Sequence, residues 1–406
     1  MSPLREFREY RLLFIGQVIS RMGRELTIVA SSIQIFALTG NTFAVGMLGL
    51  AQFPPLIIGS FLGGTLADAL DRRKILIATQ IFMAASTAGL ALNAMSATPA
   101  VWMVFVFTMI NAFGSAIDSP ARSAAVPKIV STARLPAAFA LQVLMYQLAA
   151  AVGPALGGIV IAGAALSAAY WIDTGTFAVA LVTLIMMRPL LPAGGGTRPG
   201  LRSIGEGFRF LRTSRPLQGI FLIDLTAMVF GMPRALFPEW GVSILGGDES
   251  TVGFLFAAPA IGALVAGLLS GRVSKVTSSG RATVLAVIGW GLSIVVFGFS
   301  TTLALAVAAL ALAGGCDALS SIFRQTILQI TTPDRLRGRL SAVQIAVVAG
   351  GPRIGDAEAG TVAALFSPQV AAWSGGLAAA IGALVIAKIL PAFARWRIPD
   401  VADRER

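Results

Sequence analysis

The chain has 406 residues, of which 31 are Lys or Arg and 19 Asp or Glu, for a net charge of +12 with no histidine. Hydrophobic residues make up 56% and charged ones only 12%, whereas a soluble globule carries about a quarter charged residues. This excludes a string of soluble domains and implies a polytopic membrane protein. The positive charge, which in a soluble protein would suggest nucleic acid, belongs here to loops facing an anionic leaflet, so no nucleic-acid partner is expected.

With Cys316 as the single cysteine and histidine absent, neither an intrachain disulfide nor a His/Cys metal site is expected, and no cofactor is implied. A side-chain proton carrier near neutral pH must then be a buried carboxylate. No Gly-x-x-x-x-Gly-Lys-Ser/Thr loop and no Gly-x-Ser-x-Gly elbow with a histidine partner are present, so neither direct use of ATP nor enzymatic hydrolysis is expected. The N-terminus is charged without a cleavable signal pattern, so the first apolar run is expected to remain as a span.

In chain order, apolar runs fall at approximately 12–37, 43–66, 75–95, 101–125, 138–164, 166–187, 217–241, 251–273, 282–301, 303–328, 340–366 and 370–393. Each approaches or exceeds the length needed to cross about 30 Å of hydrocarbon. The turns Thr39-Gly40-Asn41, Ser96-Ala97-Thr98-Pro99 and Phe366-Ser367-Pro368 lack Lys and Arg. The opposite set is basic: Arg5, Arg8 and Arg11; Arg72 to Lys74; Lys128 and Arg134; Arg188 to Arg215; Arg272, Lys275 and Arg281; Arg335, Arg337 and Arg339; Arg395 onward. This asymmetry places both termini in the cytoplasm and makes the number of spans even.

The widest gap begins Pro/Gly-rich (Leu191 to Gly196) and turns basic and helical through Ile204 to Arg212. It reads as a linker, 188–216, with an amphipathic segment on the cytoplasmic surface, joining an N-terminal half, 1–187, to a C-terminal half, 217–406. The halves resemble one another. Val45-Gly46 with Gly64 recurs as Val252-Gly253 with Gly271, Gly153-Pro154-Ala155-Leu156-Gly157 as Gly351-Pro352-Arg353-Ile354-Gly355, and Arg122 with Arg134-Leu135 as Arg324 with Arg335-Leu336. The fold class expected is all-α: twelve transmembrane helices in two six-helix, pseudo-symmetric parallel halves.

The hairpin between the second and third runs, Gly64-Thr65-Leu66-Ala67-Asp68-Ala69-Leu70-Asp71-Arg72-Arg73-Lys74, resembles the loop 2–3 signature of the major facilitator superfamily of secondary transporters. It departs from that signature at Ala69, where a basic residue is usual, and at Asp71, where a glycine is usual. Gly64 is expected to let the helix end approach a neighbour, and Arg72 and Arg73 to hold the turn on the cytoplasmic face. The resemblance implies a gating contact for Asp68, with Arg122 as the first-choice partner. In the second half Lys275 stands in the place of Asp68, so that copy lacks the acid. Gly153-Pro154-Ala155-Leu156-Gly157-Gly158 resembles a helix motif of proton-coupled exporters in the superfamily. Proline removes a backbone donor and glycines permit close helix approach; Gly351, Pro352 and Gly355 repeat the pattern.

Ionisable residues within spans are costly and therefore candidates for function. Arg21 and Glu25, with Arg24 beside them, and Asp118 and Arg122 share i,i+4 spacing; Asp224, Arg234, Asp317, Arg324, Arg353, Asp356 and Glu358 follow. For each, an ion pair that only holds helices together is the alternative. The superfamily resemblance implies that runs 1, 4, 7 and 10 line a central cavity shared by Glu25, Asp118, Asp224, Arg234 and Asp317. Proton-coupling candidates rank Asp317, Asp118 and Glu25, followed by Asp224 and Asp356; Asp317 is placed first because it has no arginine within one turn. Substrate-binding candidates are Arg234, Phe230, Phe237, Arg21 and Phe113. Arg234 is expected to meet either an anionic aromatic substrate or an interhelical acid, Glu25 or Asp173.

Several further stretches resemble the enterobactin (catecholate siderophore) exporter branch of bacterial facilitators. They are Leu48 to Phe53, Gly205 to Leu211, Val252 to Ala258, Leu319-Ser320-Ser321 and Thr332-Pro333-x-x-Leu336-x-Gly338-Arg339. The resemblance implies a monomeric multi-pass protein of the bacterial plasma membrane that exports an amphipathic small molecule, siderophore-like or drug-like, by alternating access in exchange for protons, among membrane lipids. A lipid or lysolipid translocator of the same fold, and a sensor or scaffold that no longer transports, are the alternatives.

Overall fold

The computed structural model describes residues 2–190, 209–269, 271, 276–333 and 336–398. Residues 191–196 and 204–208 of the linker, and Arg272, Lys275 and Arg335, lie outside the described residues. The described residues form helices and no strands.

The long helices are α1 (Arg8–Thr39), α2 (Thr42–Ala69, with a one-residue interruption at Gln52), α3 (Arg72–Met95), α4 (Val101–Ile129), α5 (Leu135–Gly163), α6 (Leu166–Ile185), α7 (Arg215–Phe230), α8 (Glu249–Leu268), α9 (Ser279–Gly298), α10 (Leu303–Thr331), α11 (Arg337–Leu365) and α12 (Pro368–Ile389). Ten spans among the described residues are long and apolar enough to cross a membrane. The two remaining helices, α1 and α11, are 32 and 29 residues long; they are the ones that concentrate intramembrane charge.

Local chemistry sets the ends. Gly40 adopts φ +60°, a left-handed conformation that stops α1 at little steric cost, and Asn41 then caps α2 by accepting the Phe43 N–H at 2.9 Å. Thr302 and Ser367 cap α10 and α12 in the same way. Asp248, just outside α8, caps it; hydrogen bonds from the Ser250 hydroxyl and the Thr251 N–H hold its carboxyl below the usual carboxylate range.

The chain folds as two compact units. The first comprises residues 1–198 with 237–257, and the second residues 199–236 with 258–406. Within the first, α2 packs on α4, α3 on α4 and α6, and α1 on α5 and α6. Within the second, α9 packs on α10 and α12, and α7 on α11 and α12.

Two expectations need correction. The run 217–241 is not one continuous helix: α7 ends at Phe230, and a short 3-10 turn at Arg234–Leu236 and a π turn at Trp240–Ile244 follow. Pro233 has no N–H to donate and disfavours α-helical Met232, which breaks the helix here. Gly64 also does not make a close helix contact, since a Cβ there would meet open space. The close approach is carried by Gly59 and Gly63, whose added Cβ atoms would lie 2.7 Å from the Phe113 carbonyl oxygen and the Ile117 Cα of α4. Their four-residue spacing keeps both on the face of α2 that meets α4, and Gly64 is one residue out of phase with it.

Candidate functional site

The loop 2–3 hairpin is tied to the end of α6. Asp71 caps α3 through the Arg73 N–H (3.0 Å) and also accepts the Leu190 N–H (2.9 Å), while the Arg72 N–H donates to the Leu190 carbonyl (3.2 Å). The Arg73 guanidinium donates to the last α6 carbonyls, Leu184 (2.9 Å) and Ile185 (2.5 Å), which suits the negative end of a helix dipole. The acid at the position where glycine is usual is thus a helix cap. Asp68 is exposed, and the structure does not bring it to Arg122. Arg122 is engaged by Asp118, through Nε at 2.6 Å and Nη2 at 3.1 Å.

In the first unit, Asp118 is buried and also accepts from Thr79 (3.1 Å) and Gln80 (3.0 Å) of α3. Both of its oxygens are thereby engaged, as a buried charge requires. Arg24 of α1 donates to Ser115 at 2.5 Å, and its charge reaches both Asp118 and Asp173 of α6. Asp173 is fully buried and accepts hydroxyl hydrogen bonds from Thr27 (2.5 Å) and Thr176 (3.1 Å). Sequence reasoning considered it only as a partner for Arg234. The available signal was a lone acid in the otherwise uncharged run 166–187. Arg21 pairs with Glu25 at 2.8 Å, and its guanidinium lies 5.0 Å from the centroid of the Tyr146 ring. Both i,i+4 pairs expected from the sequence therefore form.

In the second unit the charges gather around the break after α7. Breaking a helix frees backbone groups that hydrocarbon does not satisfy. Here the Trp290 indole donates to the Gly231 carbonyl at 2.8 Å, and the Ala235 N–H lies by Asp356 of α11. Arg234, on the break, is exposed; its charge reaches Asp317 and Asp356, and Arg353 also lies by Asp356. Arg324 of α10 is buried between two carboxylates, Asp224 of α7 at 2.8 Å and Asp317 at 3.5 Å.

Asp317 has no arginine within one turn and meets Arg324, two turns along its own helix. One expectation is corrected. Among the described residues, the acids within reach of Arg234 are Asp317 and Asp356, whereas Glu239 accepts a hydrogen bond from the Thr42 hydroxyl. Among the described residues, no arginine charge acts on Glu358 as those around Asp356 do. The acid candidates thus fall into two clusters, Glu25 and Asp118 in the first unit and Asp224, Asp317 and Asp356 in the second.

The aromatic candidates divide. Phe230 is part-exposed, but Phe237 is buried against Phe256 (centroids 5.0 Å apart, edge-on), and Phe113 packs edge-on against Phe82 at 6.3 Å. These last two are packing residues in this structure.

The repeated glycine motifs have corresponding partners. Gly153 and Gly157 of α5 lie against Glu25 and Leu26 of α1; Gly351 and Gly355 of α11 lie against Met228 and Val229 of α7. The sixth motif position separates the copies. Gly158 meets Gly253 of α8 backbone to backbone, whereas its counterpart Asp356 lies by the break after α7. A glycine there builds a seam and an acid builds a polar site.

A family profile described as "Transmembrane secretion effector" matches residues 1–404. The chain belongs to that family. It is a major facilitator transporter, and the family and its relatives are transporters rather than enzymes. Relatives named "Enterobactin exporter EntS" include that of Citrobacter koseri, 29% identical over 404 residues (98% of this chain, 96% of the relative), and that of Shigella boydii serotype 18, 29% identical over 402 residues (98% and 95%). Similar solved folds include a POT family transporter in complex with 5-aminolevulinic acid (TM-score 0.76, 11% identity, 95% of this chain and 97% of that one). A bacterial homologue of the human lysosomal transporter Spinster is also similar (TM-score 0.70, 15% identity, 97% of each). At those identities the likeness is one of fold.

Proposed function

We propose that this transporter exports an amphipathic, acidic aromatic small molecule of the catecholate type from the bacterial cytoplasm by alternating access, in exchange for protons, with both termini cytoplasmic. The observation that carries the proposal is the cluster at the broken helix: Asp224 and Asp317 share the single guanidinium of Arg324, and exposed Arg234 lies within reach of Asp317. One arginine does not neutralise two carboxylates. The cluster accommodates one proton when Arg234 is occupied elsewhere, and an anionic substrate that draws Arg234 away from Asp317 changes the proton affinity of that acid. Binding and protonation are coupled through one arginine, and the relatives named enterobactin exporters support a catecholate as the substrate class.

Two results are expected. In proteoliposomes with an imposed pH gradient, wild-type protein drives catecholate flux that a protonophore abolishes; Asp317→Asn loses gradient-driven flux at least tenfold while retaining substrate exchange at equilibrium. Gradient-driven flux at the wild-type rate in Asp317→Asn removes it as the proton carrier, and wild-type flux indifferent to the protonophore removes antiport. For recognition, Arg234→Ala weakens catecholate binding about tenfold or more, and Arg234→Lys restores little, because an ammonium lacks the planar fork that meets two acidic oxygens. Affinities measured by intrinsic tryptophan fluorescence decide this; unchanged binding in both variants assigns Arg234 to the ion network alone.

A further inference from the structure

A second site lies in the second unit, on the same stretch of α7 as Asp224 but without that carboxylate among its lining residues. The helical segment 209–213, α7 and α11 enclose a groove of about 370 Å³, within the size range of ligand sites. Its walls are almost wholly apolar: Leu211, Phe221, Leu222, Leu225, Val343 and Val347. Phe221 and Val343 form a buried floor, while Leu222 and Leu225 are open at 48% and 38% exposure. Arg212 borders the groove, and Arg209 and Arg215 flank it in sequence, all three exposed. The Gln218 amide donates to the Leu211 and Arg212 carbonyls, at 3.1 and 2.7 Å, and so fixes the basic segment against α7.

Depth gives the groove a direction. Phe221 to Leu225 lie six to ten residues beyond Arg215, which at 1.5 Å per residue is roughly 9–15 Å along the helix. That is up to half of a hydrocarbon core of about 30 Å. A cationic rim at the helix start, and an apolar channel running one leaflet deep from it, match one molecule: a phospholipid with its phosphate at the arginines and an acyl chain along the groove. The substrate class proposed above, with acidic oxygens distributed around an aromatic body, does not match a site whose polar groups all lie at one end. We infer that this groove is a specific site for an anionic phospholipid of the basic-loop leaflet, which staples the end of the linker to α7 and α11.

The test uses full-length protein reconstituted with equimolar phosphatidylglycerol and phosphatidylcholine, re-extracted in mild detergent and examined by native mass spectrometry. Wild-type protein is expected to retain phosphatidylglycerol at least fivefold over phosphatidylcholine. Leu225→Trp, which fills the groove, and Arg212→Gln each erase that preference, while Leu285→Trp at an exposed apolar position of α9 (67%) leaves it intact. Arg212 is exposed, so Arg212→Gln keeps the test decisive even where Leu225→Trp yields no folded protein. Equal retention of the two lipids by the wild type, or a preference that survives Arg212→Gln, overturns the inference. So does a catecholate that binds wild-type protein but not Leu225→Trp while lipid retention is unchanged, which would make the groove a substrate site.

Discussion

Gly158→Val is expected to slow transport at least tenfold without preventing folding, the largest effect for any single substitution in the α5 motif. A Cβ at 158 would lie 2.5 Å from the Glu249 carbonyl oxygen and 2.9 Å from the Gly253 Cα; one at 253 would lie 2.6 Å from the Pro154 carbonyl oxygen. All of these are backbone atoms that no rotamer change moves aside. Overpacking of this kind costs about 1–3 kcal/mol, which biases a two-state equilibrium roughly 5- to 150-fold against the conformation that contains the seam. The Thr42–Glu239 hydrogen bond belongs to the same compact unit. A cysteine introduced at Thr42, a buried position, should therefore label faster in Gly158→Val than in the wild-type background. Gly163→Val is the control, because a Cβ there meets nothing within 4 Å. Wild-type transport by Gly158→Val would show that the seam is packing rather than a gate.

Arg324→Leu is expected to be the most destabilising single charge removal. It strands Asp224, 4% exposed, with its paired cation gone, and takes from Asp317 the cation that pairs with it at 3.5 Å. Removing one partner of a buried pair costs about 3–5 kcal/mol, because an uncompensated charge is left in a medium of low dielectric. Thermal unfolding in detergent should show a clear fall in midpoint. The triple variant Arg324→Leu, Asp224→Asn, Asp317→Asn should regain most of the loss, since neutral amides cost far less to bury than carboxylates. It should not regain proton-driven flux. A fall in midpoint that the two Asp→Asn changes leave uncorrected would place the contribution of Arg324 in packing of its stem.

How far the sequence reaches differs between these two sites. The glycine-proline motifs were visible because they depend on residue type and local spacing, and their repetition fixes them in corresponding helices. The i,i+4 pairs Arg21–Glu25 and Asp118–Arg122 were visible because α-helical geometry alone brings such residues together. Arg324 reaching Asp224, Asp173 under Thr27, and Asp356 by the break in α7 were not. They join different helices or successive turns, and their formation depends on how each helix is rotated about its axis.

By itself the sequence determined that this chain spans a membrane repeatedly, where most of its turns lie, which side of each loop set is basic, and that its superfamily is that of secondary transporters. Each of these follows from composition, run length and short motifs. Only the tertiary structure decided which glycines touch, Gly59 and Gly63 instead of Gly64, and which acid of another helix answers an arginine, as Asp224 does Arg324. The physical reason is common to both. In a membrane span, the lipid-facing and protein-facing sides are both apolar, so the periodicity that reveals the buried face of a soluble helix is faint, and helix rotation is set by packing between helices instead.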